Sequence, residues 1–247
     1  MASVVRLYVE HPLGAGQTVP LERAQAHYLF NVMRLGEGAE LRIFNGRDGE
    51  WAARVTGAAK RGGTLQCTGQ TAQQRDPPDL WLLFAPIKKA RTDFIVEKAA
   101  EMGAARILPV QTDHTNAERL RRDRLQAHAV EAAEQCGGTF VPEVADLAPL
   151  SQILRGWPEG RRLLVCDEAR AGEGESLDAF LGRRAVEAPD PWAVLVGPEG
   201  GFSEAERARL AGLPFAVTVS LGPRILRADT AAVAALTLWQ IALGDWR

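Results

Sequence analysis

The hydrophobic and polar positions follow one rhythm up to about residue 75 and a different one after it. In the first part, short runs of mixed apolar and polar residues predict β-strands at residues 6–9, 40–44, 51–55 and 64–67. Glycine-containing pairs predict turns at residues 45–46, 48–49 and 62–63. One helical pattern, at residues 22–33, interrupts the strands. Together these signals predict a small β-barrel domain over residues 1–73.

Two prolines, Pro77 and Pro78, separate the two parts, since neither can donate to a strand ladder or lie inside a helix. The apolar runs that follow are continuous, which predicts strands buried on both faces, at residues 80–84, 106–110, 163–166, 193–196 and 217–221. Helical patterns lie between and after these runs, at residues 92–102, 118–136, 204–210 and 230–243. The alternation predicts an α/β domain with a largely parallel sheet over residues 76–247.

Two glycine-rich loops follow the last two predicted strands. The first contains Gly197, Gly200 and Gly201, and Ser203 with Glu206 has the capping-box spacing that predicts a helix directly after it. Neither loop matches the common nucleotide motifs G-x-G-x-x-G or G-x-x-x-x-G-K-[ST]. Because glycine lets main-chain N–H and C=O groups approach a ligand closely, the loops can wall a pocket for a flat molecule. The alternative for the first loop is a tight strand–helix turn without a ligand.

The second loop places two arginines, Arg224 and Arg227, on either side of the apolar pair Ile225 and Leu226. An apolar pair in a loop needs a partner, and a purine ring is one that fits. The alternative is that the pair fills the core beneath the loop. Arginine is suited to phosphate recognition, although solvated or ion-paired arginines are the commoner case. Asp229 or Thr230 is expected to cap the helix that follows.

The last predicted helix is apolar on all sides, which predicts that every side is buried. A subunit interface would provide the second cover, and a helix sandwiched within one chain is the alternative.

Composition narrows the class of protein. Hydrophobic residues make up 46% and charged residues 24%, as in ordinary globular proteins, and the net charge of −2 excludes a globally basic nucleic-acid binder. The cysteines, Cys67, Cys136 and Cys166, lack metal-site spacing, so we expect reduced, buried thiols and no metal. The chain contains no apolar run long enough to span a bilayer, and its start lacks a signal-peptide pattern, so we expect a cytoplasmic protein without membrane contact.

The paired motifs at residues 197–203 and 221–231 resemble those of the bacterial 16S ribosomal RNA uridine N3-methyltransferases, a family of the SPOUT class. Further similarity lies at residues 27–35, 44–46, 98–103 and 131–136, so that the resemblance covers nearly the whole chain. It implies an N-terminal PUA-like β-barrel that holds RNA and a C-terminal SPOUT-type α/β domain with a trefoil knot. It also implies a homodimer that acts on 16S rRNA in the small ribosomal subunit.

The resemblance implies S-adenosylmethionine as the cofactor, bound by residues of the two loops: Leu195, Gly197, Glu199, Gly200, Gly201, Leu221, Gly222, Ile225, Leu226, Arg227 and Thr230. Methyl transfer to uridine N3 requires loss of the N3 proton, so a cation and a carboxylate are needed beside the base. Arg227 and Asp229 are the candidates for these two roles, and each has a structural alternative, as a loop brace and a helix cap. The candidate RNA contacts are Arg6, Arg34, Asn45, Lys88, Lys89 and Arg91.

Two positions depart from the family pattern: Asp229 stands where Glu is usual, and Gly138 stands where Arg is common. The second departure puts one RNA or structural contact in doubt. Two other functions stay open, namely another SPOUT enzyme, such as a tRNA ribose 2′-O-methyltransferase, and a non-catalytic RNA-binding factor.

Overall fold

The computed structural model describes residues 4–59, 62–116, 120–173, 175–184 and 191–246. The chain divides into two compact units. The first comprises Met1–Asp76 together with Ala133–Val141, and the second comprises Pro77–Ala132 together with Pro142–Arg247.

The first unit is built on a five-stranded sheet, whose strands are β1 (Arg6–Tyr8), β2 (Thr18–Leu21), β3 (Glu40–Phe44), β4 (Glu50–Ala59) and β5 (Gly62–Ala72). Their order in the sheet is β1-β3-β4-β5-β2. β1 is parallel to β3, and the other neighbours are antiparallel. A short helix α1 (Arg23–His27) continues into a π-helical turn (Tyr28–Val32), where a single helix was predicted.

The alternating runs predicted four of these five strands. Each places alternate side chains in the core, so that Leu41, Ile43, Val55 and Leu65 are fully buried. The missed strand, β2, has only four residues and includes a proline. The turn predicted at residues 62–63 is wrong, because both glycines already belong to β5: Gly62 pairs with β4, and Gly63 pairs with β4 and β2.

The second unit contains a parallel sheet whose main strands are β6 (Leu80–Phe84), β7 (Arg106–Gln111), β10 (Arg162–Cys166), β11 (Trp192–Val196) and β12 (Ala216–Val219). Short strands β8 (Glu143–Val144) and β9 (Ala148–Pro149) add to β7. The order is β12-β10-β11-β6-β7-β8, and every pairing is parallel. All five residues of β11 are buried, as the continuous apolar run predicted.

The helices of this unit are α2 (Lys89–Glu101), α3 (Arg122–Cys136, whose last turn belongs to the first unit), α4 (Leu150–Arg155), α5 (Leu177–Arg184), α6 (Glu204–Ala211) and α7 (Ala228–Leu243). α4 and α5 were not predicted, because each has at most eight residues and too few apolar positions to give a clear period. α3 begins at Arg122, whereas the predicted start at residue 118 lies outside the described residues.

The final helix α7 buries only one side within the chain. Ala232, Ala235, Leu236 and Trp239 are buried, whereas Ile241 is 55% exposed. Residues 233, 234, 237 and 238 are half-buried and lie on the same side of the helix as Ile241. The alternative that this helix is sandwiched within one chain is therefore wrong.

No helix among the described residues is long and apolar enough to cross a membrane. The trefoil knot stays a prediction.

Candidate functional site

Three parallel strands, β10, β11 and β12, end at one edge of the second unit's sheet, and the loops after them surround a cavity of about 390 Å³. Such edges are the usual place for a ligand in an open α/β sheet. The residues lining the cavity are Lys88, Cys166, Asp167, Glu168, Ala171, Val196, Gly197, Pro198, Glu199, Leu221, Gly222, Arg224, Ile225, Leu226, Arg227, Ala228 and Ala231. Its volume falls in the range of small-molecule and cofactor sites.

The first glycine loop is fixed at both ends. It follows β11 and ends at Ser203, whose Oγ accepts from the Glu206 N–H at 3.1 Å while Glu206 accepts from the Ser203 N–H at 3.0 Å. The predicted capping box is therefore confirmed, and α6 begins directly after it. Gly201 has φ +66°, a left-handed conformation that glycine adopts without strain.

Seven of the predicted cofactor residues line the cavity: Gly197, Glu199, Leu221, Gly222, Ile225, Leu226 and Arg227. Leu195 instead lies fully buried inside β11. Gly200 lines a neighbouring cavity of about 270 Å³. Gly201 is a buried residue of the first loop, and Thr230 is exposed in the first turn of α7. Neither is among the described residues that line the cavity.

The apolar pair of the second loop faces the cavity and not the core. Ile225 is 73% exposed and Leu226 is half-buried, and both line the cavity. The alternative that this pair fills the core is wrong. Beside it, Gly222 has φ +115°, and a Cβ built on it would meet nothing within 4 Å. An exposed apolar surface beside open backbone suits a flat ring.

Sequence reasoning missed the third wall of the cavity, which consists of Cys166, Asp167, Glu168 and Ala171 after β10. A signal was present, since a buried apolar run ends directly at an Asp-Glu pair. This signal predicts a cavity wall only when the strand order is known, because that order places β10 between β11 and β12.

Charges of both signs line the cavity. Asp167, Glu168 and Glu199 are acidic, and Lys88, Arg224 and Arg227 are basic. Asp167 is buried and accepts from Arg207 Nε at 2.9 Å; this hydrogen bond raises the pKa of the Arg207 guanidinium despite its partial desolvation. Burial raises the pKa of the Cys166 thiol to about 12, so Cys166 stays protonated and is not a nucleophile at neutral pH.

Asp229 is not a helix cap. The N-cap position of α7 is Arg227, and Asp229 lies in the first turn, where it is buried and forms an ion pair with Arg91 of α2. The other carboxylate oxygen accepts from the Thr230 N–H at 2.8 Å. Arg91, a predicted RNA contact, is therefore bound to a predicted catalytic residue, and this pair joins two helices of the second unit.

We expect the Arg91–Asp229 pair to couple α2 and α7 by about 1–2 kcal/mol in the free energy of unfolding, because Asp229 is nearly buried. The measurement is a double-mutant cycle with Arg91→Ala and Asp229→Asn, followed by urea denaturation. The matched control is the Lys98–Glu101 pair on α2, whose carboxylate is 34% exposed against 12% for Asp229 and which should couple by about 0.2–0.5 kcal/mol. Equal coupling energies for the two pairs would contradict this expectation.

Two other predicted RNA contacts, both in the first unit, form hydrogen bonds within the protein. Arg6 donates to Glu50 at 2.6 Å and to three backbone carbonyls, including that of Gly138 at 2.8 Å. Asn45 is buried, donates to the His11 carbonyl at 3.0 Å and accepts from the Asp48 N–H at 2.8 Å. We therefore correct these two assignments, since neither side chain is free to bind RNA.

Three of the predicted RNA contacts are exposed. Arg34 follows the π-helical turn with φ 57°, Lys88 is the N-cap residue of α2, and Lys89 is the first residue of that helix. Of these, only Lys88 is among the residues that line the cavity.

Comparison with known proteins shows the family to which the chain belongs. The family model described as an RNA methyltransferase domain matches residues 74–240, and the model described as an RNA methyltransferase PUA domain matches residues 21–66. The chain is 30% identical to the ribosomal RNA small subunit methyltransferase E of Bacillus subtilis, over 89% of this chain and 88% of the relative.

Two solved structures are similar along nearly the whole chain. The ribosomal RNA small subunit methyltransferase E of Neisseria gonorrhoeae, bound to S-adenosylmethionine, is 27% identical with a TM-score of 0.83, covering 99% of this chain and 100% of that one. A methyltransferase of Legionella pneumophila in complex with the same cofactor is 28% identical with a TM-score of 0.84, with the same coverage. This chain therefore has the SPOUT-type α/β fold with an N-terminal PUA-like domain, and it belongs to the RNA methyltransferases of the small subunit methyltransferase E family.

Proposed function

We propose that the protein transfers a methyl group from S-adenosylmethionine to N3 of a uridine in the 16S rRNA of the small ribosomal subunit. The observation that carries the proposal is the cavity at the ends of β10, β11 and β12, walled by the two glycine loops in a member of this methyltransferase family. Two relatives of similar fold are solved with S-adenosylmethionine bound.

The residues of the cavity fit this cofactor. Ile225 and Leu226 offer an apolar surface to the purine ring, and Gly222 leaves its backbone open to a ligand. The cofactor carries a positively charged sulfonium and ammonium group, and the carboxylates of Asp167, Glu168 and Glu199 line the same cavity. Arg224, a cation that lines the same cavity, complements its carboxylate.

When bound, the cofactor supplies an electrophilic methyl group. The protein contributes by holding the two reactants in line, which is worth a large part of the rate in such displacements. Uridine N3 carries a proton, and loss of it leaves negative charge on the ring. Arg227 lines the cavity with an exposed side chain and would stabilise that charge. Asp229 would hold Arg91 and the start of α7 in place, since its carboxylate is already paired.

Arg34, Lys88 and Lys89 would bind the phosphates of the RNA, because their side chains are exposed cations. The half-exposed side of α7, with Ile241 at its centre, would be covered by a second copy of the chain in a homodimer. An enzyme that acts on ribosomal subunits would work in the cytoplasm.

The test is to incubate the protein with radiolabelled S-adenosylmethionine and small ribosomal subunits that lack the modification, and then to identify the labelled nucleoside. We expect label in 3-methyluridine. Label in a 2′-O-methylated nucleoside, or on tRNA only, would move the protein to another branch of SPOUT enzymes. Absence of both label and cofactor binding would support a non-catalytic RNA-binding factor.

A further inference from the structure

We propose that His114 is the base that accepts the N3 proton of the target uridine, in a second cavity beside the one assigned to the cofactor. The inference rests on the proposed function and adds the proton acceptor, a role for which Asp229 was the candidate from the sequence. Two independent features support it: the hydrogen bonds of the imidazole ring and the place of the ring in this second cavity.

The hydrogen bonds fix which ring nitrogen carries the proton. His114 Nδ1 lies 3.0 Å from the Gly200 carbonyl oxygen and 3.1 Å from the Gly201 carbonyl oxygen. A carbonyl oxygen can only accept, so Nδ1 must be the donor. In the neutral ring, Nε2 is then left with a lone pair and can accept a proton. A backbone carbonyl that orients an imidazole in this way leaves the other nitrogen ready for general-base catalysis.

The turn that carries His114 is held against the first glycine loop and α6. Within the turn, Thr115 Oγ1 accepts from the Thr112 N–H at 2.9 Å. The Asp113 N–H donates to Glu206 at 3.0 Å, and the Asp113 carboxylate accepts from Ser203 Oγ at 2.5 Å. These bonds connect the end of β7 to the residues that cap α6. The imidazole is thereby positioned by both segments.

The second cavity adjoins the cofactor cavity. It measures about 270 Å³ and is lined by Pro86, Ile87, Lys88, His114, Asn116, Pro198, Glu199 and Gly200. Lys88, Pro198 and Glu199 also line the first cavity, so the two cavities share a wall. Ile87 and the prolines offer apolar surface to a base, and Asn116 offers a donor to its carbonyl groups. The described residues thus place His114 on the wall of a space that adjoins the cavity assigned to the methyl donor.

Asp229 is a weaker candidate for this proton. It does not belong to the described lining of either cavity, and its carboxylate is engaged by Arg91 and by the Thr230 N–H. In the step proposed here, His114 Nε2 takes the N3 proton and the electron pair of the N–H bond stays on N3. That pair forms the new bond to the methyl carbon, and the pair of the broken sulfur–carbon bond stays on sulfur. The imidazolium then releases its proton to water.

The decisive variants are His114→Asn and His114→Ala. Asparagine keeps an N–H donor near the position of Nδ1 and so preserves the contacts with the glycine loop, but it has no basic nitrogen at the position of Nε2. We expect kcat to fall about 10²–10³-fold in both variants, with the Kd for S-adenosylmethionine changed by less than about threefold. Added imidazole should restore part of kcat in His114→Ala, because the vacated space admits a free base. Asn116→Ala, which changes another lining residue, should raise KM more than it lowers kcat.

A second readout does not depend on activity. Nitrogen-15 NMR of the histidine-labelled protein alone should show that the neutral ring of His114 carries its proton on Nδ1 and none on Nε2. The opposite tautomer, or a kcat within threefold of the wild-type value in His114→Asn, would overturn the proposal. Loss of cofactor binding in both variants without rescue by imidazole would show that His114 only holds the first glycine loop in place. If wild-type protein forms no 3-methyluridine, the proposed function itself fails, whatever the tautomer.

Discussion

Replacement of Arg227 by alanine is expected to lower kcat for methyl transfer by about 10²–10³-fold, the usual cost of removing one group that stabilises developing negative charge. Arg227 ends the second glycine loop and is the N-cap residue of α7, but its side chain makes no capping hydrogen bond. It is exposed and lines the cavity. Since the helix does not need the side chain as a cap, the loss should be one of rate and not of stability.

The measurement is single-turnover methylation of unmodified small subunits at saturating S-adenosylmethionine. Arg227→Lys keeps the charge but loses the planar pair of donors, so it should recover only part of the rate. Arg209→Ala is the matched control, because Arg209 is also exposed, lies in the last turn of α6 and is not among the residues lining the cavity. Unchanged turnover in Arg227→Ala would exclude the residue from the reaction.

The strands of the second unit could be predicted because a strand that is buried on both faces consists of a continuous run of apolar residues. β6 and β11 are continuous apolar runs, and their residues are buried almost throughout. The glycine loops could be predicted for a related reason. An isoleucine in a loop is unusual unless it packs on the core or contacts a ligand. Ile225 is such a residue, and in the structure it is exposed at the cavity.

The partners of the charged residues could not be predicted in the same way. An arginine that is free and one that is paired look identical in the sequence, because the partner is distant along the chain. Arg6 meets Glu50, and Arg91 meets Asp229, only after the strands and helices have assembled. Two of the six predicted RNA contacts, Arg6 and Arg91, proved to be bound within the protein for this reason. His114 was missed because the carbonyl groups that orient it follow a strand two places away in the sheet.

Replacement of Glu50 by glutamine is expected to lower the free energy of unfolding by about 3–5 kcal/mol, the cost of leaving a buried charge without its partner. Glu50 is 4% exposed, and its carboxylate accepts from Arg6, Arg42 and Thr71 at 2.6, 2.9 and 2.7 Å. Arg6 is itself only 12% exposed. Glutamine keeps the volume of the side chain but leaves the Arg6 guanidinium uncompensated.

The control and the pH dependence separate this charge effect from a packing defect. Glu40 on the neighbouring strand pairs with Arg54 at 2.9 Å, but both side chains are more than half exposed, so Glu40→Gln should cost at most about 1 kcal/mol. Burial alone would raise the pKa of Glu50, yet the hydrogen bonds from Thr71, Arg6 and Arg42 outweigh it and lower the pKa below the ordinary 4.5. The carboxylate therefore stabilises the fold fully above about pH 4.5, and this stabilisation is lost as the pH falls through the lowered pKa. The difference between wild type and Glu50→Gln in denaturant unfolding should be largest at pH 7 and shrink on acidification, whereas a difference independent of pH would mean that glutamine acts through packing.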